Sequence, residues 1–78
     1  MVSFEVMLNS INDVKDFVNI VSRYDFDIDL SSGRYVVDAK SIMGIFSLDL
    51  SKAIKVDAHV EGAKADSFKA DMAKFIVE

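Results

Sequence analysis

Apolar and polar positions set the reading of the chain from its start. Val2, Phe4, Val6 and Leu8 alternate with Ser3, Glu5 and Met7, the period of a strand buried on one face. The period then lengthens. Ile11, Val14, Phe17, Val18, Val21 and Tyr24 recur at steps of three and four with Lys15, Asp16, Asn19 and Arg23 opposite, which predicts a helix. Ser10 is its N-cap, with Asp13 three residues on as a weak capping box. Phe26, Ile28 and Leu30 alternate with Asp25, Asp27 and Asp29, and Ser31-Ser32-Gly33 supplies a turn before the β-rich RYVVD, so a hairpin follows. Ser41 then caps a helix of about two turns. Ile54, Val56, Ala58 and Val60 alternate with Lys55, Asp57, His59 and Glu61 as a further strand. Gly62 breaks that pattern, and Ala65, Phe68, Met72, Phe75 and Ile76 trace one face of a final helix, with Lys64, Lys69, Asp71 and Lys74 toward water.

The order β-α-β-β-α-β-α predicts an α+β open-faced β-sandwich: a four-stranded antiparallel sheet, wet on one face and covered by three helices on the other. Phe26, Ile28, Leu30, Val56 and Val60 are expected to face the helices. No linker, repeat or low-complexity segment interrupts the 78 residues, so residues 1–78 read as one domain near the lower size limit for a core without staples.

Composition narrows the function classes. A hydrophobic share of 51% with six Phe suffices for such a core, and the absence of Cys removes disulfides and thiolate metal sites, which favours a reducing, cytoplasmic setting. No apolar run approaches the roughly 18 residues that span a bilayer, and MVSFEVMLNS lacks the form of a signal peptide, so neither membrane nor export is expected. A net charge of −4 without a basic cluster opposes nucleic-acid binding.

The stretch KSIMGIFSLDL, residues 40 to 50, crowds more apolar side chains together than a short helix needs for its core. Ile45 and Leu48, about a turn apart, can serve the core; Ile42, Met43 and Phe46 also stand at helical spacing and are candidates for a surface beside Ser41. Two readings of Ser41 stand at this point, a plain helix cap and a functional hydroxyl.

The element order, KSIMGIFSL at the second helix, SRYDFDIDL at the first helix-to-strand junction and the turn at Gly33 together resemble the HPr family, the phosphocarrier proteins of the bacterial sugar phosphotransferase system. The resemblance covers nearly the whole chain and implies two phosphate sites. One is a carrier histidine followed by Arg and Pro in the loop after the first strand, charged by enzyme I. Here that loop reads NSINDV, shortened and without His, Arg or Pro. Imidazole nitrogen forms a phosphoryl bond labile enough to pass on; a serine ester at Ser10 is too stable, and Ser10 is a cap. In this respect the chain is similar to the catabolite-repression paralogue of HPr. The other implied site is the serine that a dedicated kinase phosphorylates from ATP in many Gram-positive members. Lys40, Ser41, Ile42, Met43 and Gly44 match it residue for residue, which implies regulatory phosphorylation at Ser41 with Ile42, Met43, Phe46 and Lys40 as the partner-binding patch. A phosphate there would meet free helix N–H groups. The implied partners are an HPr-type kinase or a transcriptional regulator.

The remaining chemistry-bearing residues read as surface. His59, the single histidine, is assigned to the wet sheet face, and one histidine with scattered carboxylates is a weak metal signal. Asp25, Asp27 and Asp29 on one straight strand are too far apart to wrap an ion and read as a solvated, edge-protecting face. No cofactor, metal site or catalytic residue is expected. The leading expectation is a non-enzymatic regulatory or interaction module; the alternatives are a phosphocarrier using an unrecognised residue, and a structural or oligomerising domain.

Overall fold

The structure is a computed structural model that describes residues 1–77. Its elements are β1 (Val2–Val6), α1 (Ile11–Val21), β2 (Ile28–Ser32), β3 (Tyr35–Asp38), α2 (Ile42–Phe46), β4 (Ile54–Ala58), α3 (Ala63–Asp71) and β5 (Ile76–Val77). The strands form one sheet in the order β3-β2-β4-β1-β5, and every neighbouring pair is antiparallel. β1 and β2 thus run in the same direction with β4 between them, and α1 makes the crossover, the split βαβ arrangement. The expected α+β fold with an antiparallel sheet and three helices is present.

Alternation dictates the two faces of the sheet. Val6, Ile28, Leu30, Ile54, Val56 and Ala58 are buried under the helices, with Val14, Phe17, Val21, Ile45, Phe68 and Met72 completing a single core. Ser3, Glu5, Asp29, Ser31, Lys55 and Asp57 take the other parity, and among the described residues no polar or charged residue is buried. Phe68 anchors α3: its ring lies 5.9 Å from Phe4, 5.2 Å from Tyr24 and 5.6 Å from Phe26, the last two edge-on.

The structure differs from the sequence reading mainly at element ends. The sheet has five strands rather than four. Phe75 and Ile76 do not extend the last helix: α3 closes with Met72 as C-cap, tight turns follow, and Ile76 and Val77 pair with Val6 and Glu5. Their spacing from Met72 mimics a helix turn, and two residues are too few for a strand period to register. The short β5 covers the outer edge of β1, where Met7 N–H also donates to the Phe75 carbonyl at 2.9 Å. Helix α2 has five residues, short of two full turns. Phe26 and Val60 lie just outside β2 and β4 and are half-buried rather than sealed.

Candidate functional site

The β3–β4 connection is organised by Ser41. Its backbone is extended (φ −97°, ψ 101°), its carbonyl starts the helix by accepting from Ile45 N–H at 3.0 Å, and its Oγ accepts from Gly44 N–H at 3.2 Å. Upstream, Asp38 fixes the turn, its carboxylate accepting from Lys40 N–H at 2.8 Å and its carbonyl from Ser41 N–H at 3.0 Å. Gly44 permits close packing: a Cβ there would stand 3.2 Å from both Ser41 Oγ and Val37 Cβ. A side chain at this position would press on the cap and on β3, which glycine avoids.

The apolar stretch divides around this cap. Ile45 and Leu48 are buried, Ile42 is half-buried, and Met43 and Phe46 are exposed, at 76% and 41%. Lys40 and the Ser41 side chain stand at the surface. Positions 43 and 45 differ by about 200° around a helix, so burying Ile45 turns Met43 outward.

Phe46 reaches a second loop. Together with Leu50 and Ser51 it lines an open groove of about 490 Å³ whose other wall is Leu8, Asn9, Ser10 and Ile11. Ser10 caps α1, its Oγ accepting from Asp13 N–H at 3.1 Å while Asp13 accepts from Asn9 N–H at 2.9 Å. Sequence reasoning placed Ile11 on the apolar face of α1, yet it is 63% exposed and adds to the groove. The signal available was its position: Ile11 is the first helical residue, ahead of the buried series Val14, Phe17 and Val21. Beside the groove residue Ser51, Asp49 accepts from the hydroxyl and N–H of that serine, which hold its carboxyl below the usual carboxylate range.

His59 and the aspartates stand apart from this surface. Val2 pairs with Ala58 and Val6 with Ile54, so His59 lies at the end of the sheet opposite the loop after β1, about 20 Å away at strand rise. It is half-exposed, with Nε2 2.9 Å from Asp29 Oδ2. Asp25 and Asp27 precede β2 and are exposed, while Asp29 is half-buried on a strand flanked by β3 and β4. The expected edge-protecting row is thereby corrected: β2 is interior, because β3 pairs on its outer side. Among the described residues no cluster of three or more His, Asp or Glu could hold a metal ion. No helix among them is long and apolar enough to cross a membrane.

Fold and site together define a small open-faced α+β sandwich of the phosphocarrier type. The chain belongs to the HPr family of the phosphotransferase system: the family model described as "PTS HPr component phosphorylation site" matches residues 13–78. That match begins after Asn9-Ser10-Ile11-Asn12. Among solved structures, HPr-C-His from Thermoanaerobacter tengcongensis is similar in fold, with 24% identity over 95% of this chain and 92% of its own, and a TM-score of 0.75. The phosphocarrier protein HPr from Bacillus anthracis str. Ames shows 26% identity over 97% and 96%, with a TM-score of 0.71. A histidine-containing phosphocarrier protein of Mycoplasma shows 16% identity over 99% and 100%, with a TM-score of 0.71. No curated protein matches.

Proposed function

We propose that this chain is an HPr-family interaction module that is regulated by phosphorylation at Ser41 and has no relay of phosphoryl groups through histidine. One observation carries the reading: Ser41 is a surface residue near exposed Met43 and Phe46, whereas the loop that shares a groove with Phe46 carries Asn9, Ser10 and Ile11 and no imidazole. The partner is an HPr-type kinase first, and then a protein, such as a transcriptional regulator, that distinguishes the two states. Ile42, Met43, Phe46 and Lys40 dock it. In the modifying step Ser41 Oγ attacks the γ-phosphorus of ATP; the new O–P bond replaces the bond to ADP, and the hydroxyl proton passes to a base on the kinase. The product dianion stands on the first turn of α2, where it leaves the core untouched and changes the charge of the docking patch. The compartment consistent with such partners is the cytoplasm, and the chain itself catalyses nothing.

The test is incubation of wild type, Ser41→Ala and Phe46→Glu with an HPr-type kinase and ATP, read by intact-mass spectrometry. Wild type should gain one phosphate and Ser41→Ala none. Phe46→Glu should react at least about tenfold more slowly while unfolding at an unchanged denaturant midpoint, since one exposed aromatic at a docking surface is worth about 1–2 kcal/mol. Equal labelling of wild type and Ser41→Ala would refute the assignment.

A further inference from the structure

One outer edge of the sheet, β3, has no strand beside it among the described residues. β3 is an edge strand bonded only to β2, in an unbroken register from Ser32↔Tyr35 to Asp29↔Asp38. The hairpin loop is Gly33-Arg34, with Gly33 at φ +60° and no other positive φ in the turn, the form of a type II′ turn. In a two-residue hairpin the flanking pair is hydrogen-bonded inward, so Tyr35 and Val37 bond to β2 and Val36 directs its N–H and C=O outward. The same parity appears at Ala39, whose N–H donates to the Ile28 carbonyl at 2.9 Å. Natural edges are blunted by proline, lysine, a bulge or extreme shortness, as β5 is. Tyr35–Asp38 has no proline, lysine or bulge; its carbonyl at Asp38 is closed by Ser41 N–H, while Tyr35 and Val36 are 71% and 65% exposed.

Charge identifies the occupant. We propose that β3 pairs antiparallel with β3 of a second copy of this chain about a two-fold axis through Val36. In that register Val36 exchanges two backbone hydrogen bonds with its mate, Tyr35 faces Val37 of the second copy, and Arg34 faces Asp38 of the second copy. The sequence Arg34-Tyr35-Val36-Val37-Asp38 is self-complementary only in this centring. Within one copy the pair cannot close, because four residues of strand hold the two charges about 13 Å apart. Asp38, whose carboxylate accepts Lys40 N–H, has no cation beside it among the described residues. It stands directly opposite Asp29, which stands opposite Asp57, a row of like charges on the wet face. Asp29 has His59 and Asp57 has Lys55 within ion-pair distance, but Asp38 and Arg34 have no such partner among the described residues. Arg34 of the second copy supplies it, and Tyr35 against Val37 adds an aromatic and β-branched pair on the helix side. The interface is isologous and closes at two copies. Five residues a side bury less than the about 1,200 Å² of a standard interface, so association belongs to the weak class.

Sedimentation velocity of the whole chain at low ionic strength, from micromolar to millimolar concentration, tests this. Wild type should shift from monomer to dimer, and added salt should reverse the shift. Arg34→Asp and Asp38→Arg should each stay monomeric, but their equimolar mixture should associate, because both cross-strand contacts of the mixed dimer then join opposite charges. Val36→Lys, which sets two ammonium groups at the axis without touching the core, should also stay monomeric. A wild type that remains monomeric at millimolar concentration overturns the proposal and leaves the edge to a strand of another protein. So does an Arg34→Asp variant that dimerises as wild type does, or a mixture no more associated than its components.

Discussion

Tyr24 joins the end of α1 to the end of α3, donating its phenol to Asp71 forty-seven residues away and standing edge-on to Phe68. The hydrogen bond to Asp71, followed by burial, raises the phenol above its ordinary value of 10.0. The sign follows from proton binding. Below pH 10 the phenol is protonated folded and unfolded, and the bond contributes fully; above it the unfolded chain releases the proton first, so stability falls as pH rises toward the folded value. Tyr24→Phe should lower stability by about 0.5–1 kcal/mol at neutral pH and flatten that alkaline decline, as urea midpoints at neutral pH and above pH 10 would show. A decline as steep in the variant as in wild type would exclude Tyr24 as its source. Contacts of this kind were not legible in the sequence, because a pair such as Tyr24–Asp71 or His59–Asp29 depends on helix placement and strand register. The Ser10 cap was legible because its partner Asp13 lies three residues on, within one turn.

At the scale of the element, α2 is a five-residue helix in which one side chain supplies the N-terminal hydrogen bond. With so few aligned peptides the macrodipole is weak, and the cap holds the turn. Ser41→Ala should therefore cost about 1 kcal/mol, whereas Ser41→Asp, an equally good cap, should stay within about 0.5 kcal/mol of wild type. Chemical denaturation of the three proteins measures both, and equal losses in the two variants would show that the cap is not what holds α2. The same element shows how far pattern reading reaches. The serine announced the helix start and Ile45 and Leu48 their burial. The length was overread, since Leu48 keeps helical spacing after the chain has left the helix at Ser47. The fifth strand escapes the pattern for the same reason: Phe75 and Ile76 continue the apolar periodicity of α3 past its end, and the two residues Ile76–Val77 are too few to show a strand period.

Across the whole molecule, the split βαβ topology brings the loop after β1 and the second half of α2 to one end of the sheet and leaves His59 at the other. Element order was legible because each strand buries one face and each helix one stripe. The candidate surface was legible only in its α2 half, where the apolar excess was visible; the Ile11 side emerged from folding alone. The central claim is that this arrangement receives phosphate at Ser41 and carries none on histidine. Parallel incubation of the chain with enzyme I and phosphoenolpyruvate, and with an HPr-type kinase and ATP, followed by mass spectrometry before and after mild acid, tests it most directly. One acid-stable phosphate on Ser41 from ATP and none from phosphoenolpyruvate is the expected result; an acid-labile adduct that depends on enzyme I, at His59 or elsewhere, would contradict it.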